Sequence, residues 1–145
     1  MTLTKPLPGS FVCRSTYRVL YVDTDVMGIV NNANYFRFFE QARGDYLRER
    51  GFPYSAIEDR GIRSPLTEAW AHFYQPFHYD DLMLMDSWVS QVKKASFMFE
   101  YRLYKDGDPK LRVAGRTLHA ILGDDGKVVK LPSWLYDILG CPTAA

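Results

Sequence analysis

"YVDTDVMGIVNNANYFRFFEQAR", Tyr21 to Arg43, sets an acid-threonine-acid triplet, a glycine and two asparagines directly in front of an aromatic helix. Asp23 and Asp25 fall close to a helix N-terminus, where backbone N–H groups point outward and attract negative charge. Gly28 can take positive φ in a tight turn, and Asn31 or Asn32 can cap the helix. The spacing predicts a helix to about Arg50, stopping at Gly51 with Pro53 just beyond. Tyr35, Phe39, Ala42 and Tyr46 follow helical periodicity with Phe36 and Leu47 alongside, while Arg37, Gln41, Asp45 and Arg48 lie opposite, so one face is built for burial. Gly44 costs about 1 kcal/mol relative to alanine inside a helix, and close approach to another backbone would account for it.

Working outward, "RSTYRVLYV" (Arg14–Val22) is β-branched and aromatic, a strand that delivers the acidic triplet at its end. Residues 1–12, with two prolines and a glycine, read as an N-terminal arm. Downstream of a short segment around Pro53 to Asp59 come strand-like runs: "PLTEAWAHFYQPF", "LMLMDSWVSQVKK", "SFMFEYRLYKD", "KLRVAGRTLHAIL" and "GKVVKL". "KDGDPK" and "GDDGK" are hairpin signals that join their neighbours antiparallel. A short helix is expected near "SWLYDIL". The order strand, long helix, then four or five antiparallel strands suits an α+β domain, a curved sheet on one buried helix.

The 145 residues fit one domain over 1–145, and 47% apolar with 15% aromatic composition is ample for a core. The net charge of +1, from 18 basic and 17 acidic residues, gives no overall field for nucleic acid or an anionic membrane. No secretory leader and no apolar run of membrane-spanning length is present in this sequence, so a cytoplasmic location is expected. Cys13 and Cys141 are far apart and suggest neither a disulfide framework nor a metal site.

The acidic turn fits few chemistries. A calcium loop starting at Asp23 needs an oxygen ligand at its fifth position and glutamate at its twelfth, where Met27 and Asn34 stand. Asp-x-Asp phosphotransfer belongs with parallel α/β sheets, and no βαβ alternation is seen. No G-x-S-x-G elbow occurs, and His72, His78 and His119 fall in the strand region without zinc spacing. What remains is a carboxylate working as nucleophile or general base opposite helix N-terminal amides that hold an oxyanion.

These residues resemble the hotdog-fold acyl-CoA thioesterases of the 4-hydroxybenzoyl-CoA thioesterase type. The resemblance rests on the D-x-D-x-x-G-x-V-x-x-x-x-Y-x-x-x-x-E-x-A-R pattern of the opening run and continues through "HYDDLM" and "KKASF", covering roughly residues 14 to 139. It implies a single hotdog domain, its antiparallel sheet wrapped around a long central helix, that hydrolyses an acyl-CoA thioester without a cofactor or metal. It implies Asp25 as the catalytic carboxylate and the backbone N–H of Asn32 as the group that polarises the thioester carbonyl. Many members place histidine where Asn32 stands, and others carry the same Val-Asn-Asn. Asp23, Gly28, Glu40 and Arg43 match the turn and supporting positions, and Lys93 and Lys94 match basic residues that contact coenzyme A phosphates. Members form dimers, often paired into tetramers, with sites at subunit interfaces.

Plainer readings stand beside these. Asp25 can be a turn carboxylate, Glu40 and Arg43 an i,i+3 ion pair, Lys93 and Lys94 a solvated strand end, and the phenylalanines core. The resemblance leaves open the acyl group, the choice between coenzyme A and acyl carrier protein, and nucleophilic against general-base chemistry. No histidine lies between Asp25 and the helix end, which disfavours a hydratase. A non-catalytic acyl-CoA or acyl-carrier binding protein is the alternative.

Overall fold

The computed structural model describes residues 3–141. Residues 1 and 2 of the expected arm, and 142–145 of the expected domain, lie outside the described residues. Strand β1 (Cys13–Arg18) leads through a 3-10 turn (Tyr21–Asp23) to helix α1 (Asn34–Glu49) and a short α2 (Tyr54–Asp59). Strands β2 (Leu66–Phe73), β3 (Leu82–Val92), β4 (Ser96–Lys105) and β5 (Leu111–Ala120) follow, then helix α3 (Ser133–Leu139). The strands form one sheet in the order β1-β3-β4-β5-β2, with every neighbouring pair antiparallel. This is the expected α+β hotdog arrangement.

Alternation along the strands decides which face receives the helix. Phe97, Phe99, Tyr101 and Leu103 of β4 and Val113, Thr117 and His119 of β5 are buried. On that face Phe39 of α1 stacks on Tyr101, ring centroids 4.4 Å apart. A Cβ at Gly115 would sit 2.3 Å from Phe39 Cζ, so the strand carries glycine where the helix comes closest. The close approach expected at Gly44 is therefore at Gly115. Around Gly44, the nearest atoms that an added Cβ would meet belong to the flexible guanidinium of Arg48, at 3.3 Å.

The buried stripe of α1 is Tyr35, Phe38, Phe39, Ala42, Tyr46 and Leu47. Burying each of its larger side chains contributes about 1.5–3 kcal/mol, which outweighs the roughly 1 kcal/mol cost of a helical glycine. Phe36, expected beside this stripe, is 39% exposed, and Phe38 takes the inward place. Three other expectations change. The first strand stops at Arg18 instead of Val22, because the chain from Leu20 to Asp23 winds into a turn. The short segment around Pro53 to Asp59, to which the sequence assigns no secondary structure, is helix α2, with Pro53 at its N-cap. "GKVVKL" makes an isolated bridge, Leu122 with Val128, and no strand.

On the opposite face of the sheet, buried Glu100 meets Arg102 at 3.2 Å and Arg116 at 3.1 Å, and Thr4 of the N-terminal segment donates to it at 2.7 Å. The two sheet edges differ. The β1 edge carries Arg14 and Arg18, whereas β2 is exposed along most of its length with Leu66, Ala69 and Phe73 outward. Among the described residues, no helix is long and apolar enough to cross a membrane.

Candidate active site

The acidic turn is a small closed loop. Thr24 bridges Val30, the Asp25 N–H donates to the Ile29 carbonyl at 2.9 Å, and the Gly28 N–H donates back to the Asp25 carbonyl at 3.0 Å. Gly28 has φ +78°, which an L side chain resists, so the glycine lets the loop close. Ile29 bridges His78 and the Val30 N–H donates to the Phe77 carbonyl, which ties the loop to the segment leading into β3.

The two carboxylates occupy different environments. Asp23 is fully buried. Its Oδ2 accepts from the Tyr17 hydroxyl at 2.8 Å and the Leu20 N–H at 2.9 Å, and its Oδ1 accepts from the Arg37 guanidinium. Burial alone would raise its pKa, but the Leu20 N–H, the Tyr17 hydroxyl and the Arg37 charge together hold it below the usual carboxylate range. Its backbone carbonyl accepts from the Asn31 N–H and from Asn34 Nδ2, both at 2.9 Å, which fastens the loop to the start of α1. Asp25 is half-buried, and only its Oδ1 has a partner among the described residues, the Met27 N–H at 2.8 Å. Its second oxygen is available.

At the helix entrance, Asn31 Oδ1 accepts the Ala33 N–H at 3.0 Å and the Asn31 carbonyl accepts the Asn34 N–H. Asn31 thus caps the turn before the helix, whose regular part begins at Asn34. The Asn32 N–H donates to no described residue and Asn32 is exposed. An unclaimed N–H at the positive end of a 16-residue helix suits a developing oxyanion.

Glu40 and Arg43 do not form the ion pair that their spacing suggested. Glu40 is exposed on α1, while Arg43 turns inward, 9% exposed, and donates to Tyr101 Oη at 3.1 Å and Tyr54 Oη at 3.3 Å. The Tyr101 hydroxyl lies 2.6 Å from Thr117 Oγ1, which lies 2.9 Å from His119 Nε2. Burial, then the Arg43 charge, pushes His119 down to about 4, so it is neutral at pH 7. It is a packed histidine. A groove of ≈ 950 Å³ lies over this network, lined by Phe36, Arg37, Arg43, Tyr54 and His119 among others.

Lys93 and Lys94 are exposed in the tight turn between β3 and β4, where the Lys93 N–H donates to the Ser96 carbonyl at 2.8 Å. The acidic loop is tied to the other end of β3, through Phe77 and His78. Strand β3, 11 residues or about 35 Å along its length, lies between the turn that carries the lysines and the segment that holds the loop. The structure therefore brings Asp23, Asp25, Gly28 and Asn32 together and leaves the lysine pair apart.

Tyr17, Asn34 and Arg37 support the turn and escaped sequence reasoning. Arg37 stands on the polar side of the predicted helix, and nothing in its spacing marks it as the partner of Asp23. Asn34 was visible only as a missing calcium ligand.

Residues 19–139 match the family model described as the thioesterase-like superfamily. The chain is similar to the acyl-CoA thioesterase YbgC of Haemophilus influenzae, 33% identical over 112 residues, which cover 77% of this chain and 80% of that protein. Among solved structures it is similar to a hypothetical protein from Aquifex aeolicus, with TM-score 0.81, 34% identity and coverage of 89% and 98% of the two chains. A DHNA-CoA thioesterase from Staphylococcus aureus superposes with TM-score 0.80 at 26% identity, covering 87% of this chain and 85% of that one.

Proposed function

The chain belongs to the thioesterase-like superfamily, and from that premise we propose that it hydrolyses acyl-CoA with Asp25 as the working carboxylate and the Asn32 N–H as the oxyanion donor. It is a thioester hydrolase, as its acyl-CoA thioesterase relatives are. The observation that carries the residue assignment is the pairing of an available Asp25 oxygen with an unclaimed Asn32 N–H on either side of one closed loop. In this mechanism Asp25 attacks the thioester carbonyl to give an acyl-enzyme anhydride, or removes a proton from an attacking water. Negative charge collects on the carbonyl oxygen, where the Asn32 N–H and the α1 dipole receive it. Coenzyme A leaves as the thiolate and takes up a proton, from solvent in the first route and from Asp25 in the second, and in the first route a water then opens the anhydride to release the acid and restore Asp25.

The working unit in this reading is at least a homodimer. The exposed β2 edge is the apolar one of the two and invites antiparallel pairing with a second copy. Because Lys93 and Lys94 lie at the far end of β3 from Asp25 within one chain, this reading has them reach the coenzyme A phosphates from another subunit.

The test is thiol release from a panel of aromatic, short and long acyl-CoAs, with Asp25→Asn beside the native protein. Release that disappears in the variant supports the reading. Equal rates in the two proteins overturn the Asp25 assignment, and saturable binding without release points to a binding protein. Single-turnover hydrolysis in oxygen-18 water separates the routes, because label enters Asp25 only if the carboxylate itself attacks.

A further inference from the structure

Arg43 is a buried cation with no acid within ion-pair distance among the described residues. Its Nε and one Nη donate to the hydroxyls of Tyr54 and Tyr101, and the remaining Nη2 has no partner among the described residues. Neither tyrosine supplies the missing charge. Burial raises both phenols, and although Arg43 pulls each down, both stay above the ordinary tyrosine value and are protonated at pH 7. Glu40, one turn earlier on α1, is exposed and stands outside ion-pair distance, and Glu58 is engaged with Arg63 at 3.5 Å. A buried charge satisfied only by neutral hydroxyls is costly unless a counter-charge arrives.

The groove supplies the route for one. Its lining follows α1 from Phe36 and Arg37 in the first turn, where Arg37 pairs with Asp23 of the acidic loop, past Arg43 to Arg48. From Asn32 to Arg43 the helix rises about 16 Å. An arginine side chain on a helix leans back toward the N-terminus, which shortens that span. An acyl group whose thioester carbonyl sits at the Asn32 N–H and which follows α1 arrives at Arg43 with its distal end.

We propose that Arg43 binds a carboxylate at the distal end of the acyl group, making ω-carboxyacyl-CoAs, the mono-thioesters of dicarboxylic acids, the substrates this groove selects. The proposal rests on the thioesterase reading above. A distal hydroxyl offers an acceptor but no charge, so it leaves the guanidinium as uncompensated as the tyrosines do. A carboxylate offers both, in the planar geometry that matches a guanidinium fork.

The experiment compares kcat/KM for ω-carboxyacyl-CoAs from glutaryl to dodecanedioyl with methyl-ended acyl-CoAs of the same length. A preference of roughly tenfold to a hundredfold for the acid at one or more lengths is expected, the effect of one charge-assisted contact. Arg43→Met should erase that preference while methyl-ended substrates lose far less, and Arg43→Lys should keep part of it. Equal rates for acid and methyl ends at every length, a preference for hydroxyaryl groups instead, or an acid preference that survives in Arg43→Met overturns the proposal. If the variants fail to fold, Asp25→Asn with native Arg43 is titrated with both series, and equal affinities overturn it. If no acyl-CoA is hydrolysed at all, the thioesterase reading falls and the site is judged alone. Monomethyl adipate should then move the Arg43 Nε–H resonance where dimethyl adipate does not, and no difference between them ends the proposal.

Discussion

Asp23 and Asp25 are two residues apart, chemically identical, and placed in opposite circumstances. Asp23 is enclosed, with both oxygens occupied by three donors and its backbone carbonyl holding the helix entrance through Asn31 and Asn34. Asp25 keeps one oxygen on the Met27 N–H and the other open. A carboxylate with every lone-pair direction engaged holds geometry. One with a spare oxygen is available for chemistry. The difference arises because Asp23 ends a 3-10 turn that folds it back onto Tyr17 and Leu20, whereas Asp25 lies past the extended Thr24, in the loop that Gly28 closes.

Four perturbations break or sharpen this contrast. The largest effect is expected from Asp25→Asn. Turnover should fall by at least about a hundredfold, while urea unfolding stays within about 0.5 kcal/mol, as for surface changes that leave packing alone. A variant that loses stability as well as activity would put Asp25 in the same class as Asp23.

Asp23→Ala should do the reverse. It strands the Leu20 N–H and the buried end of Tyr17, for a loss of about 3 kcal/mol in chemical denaturation. Activity should decline with the folded fraction. Unchanged stability would show that the buried carboxylate is dispensable to the turn.

Acid sorts the buried groups by pH. His119 has a folded pKa of about 4 against about 6.5 unfolded, so the unfolded chain takes up the proton first as pH falls. Stability should drop by up to about 3 kcal/mol between pH 6.5 and 4, and His119→Gln should remove that phase. Asp23 behaves as a depressed carboxylate. Its contribution is complete above the unfolded value of about 3.9 and is lost only as pH falls through its lower folded value. A lower phase that persists in Asp23→Asn would have another source.

The smallest effect is expected from the double change Lys93→Ala and Lys94→Ala, a several-fold rise in KM that fades at high salt. Mixing this protein with Asp25→Asn tests the two-chain site. In a mixed dimer, one site combines an intact Asp25 with the other chain's intact lysines, so native KM should reappear. Its failure to reappear would place each loop and its lysines in the same subunit or take the lysines out of binding.

The sequence made much of this legible because the relevant signals are local. Helical spacing located α1 and its stop at Gly51, hairpin chemistry joined β4 to β5, and the glycine of the acidic loop stands at positive φ as its position suggested. Where the reading slipped, the deciding interaction came from elsewhere in the chain. Phe36 and Phe38 are equally apolar, and only the position of the sheet tells them apart. Glu40 and Arg43 have ideal spacing for an ion pair, yet two tyrosines from α2 and β4 draw the arginine inside. Gly115 passed unremarked within a strand pattern, because the ring that needs its space is on α1.

The sequence by itself thus determined the element order apart from α2 and the last expected strand, the acidic loop at a helix entrance and the family, since each depends on residue types at short, fixed spacing. Which carboxylate is sealed and which stays open, that Arg43 is buried with no acid beside it among the described residues, and that the lysines lie at the far end of β3 from Asp25 were decided only by the tertiary structure. Burial and hydrogen-bond partnership depend on how separate elements pack, Tyr17 and Arg37 around Asp23 and Tyr54 and Tyr101 around Arg43, and no regular spacing along the chain encodes that packing.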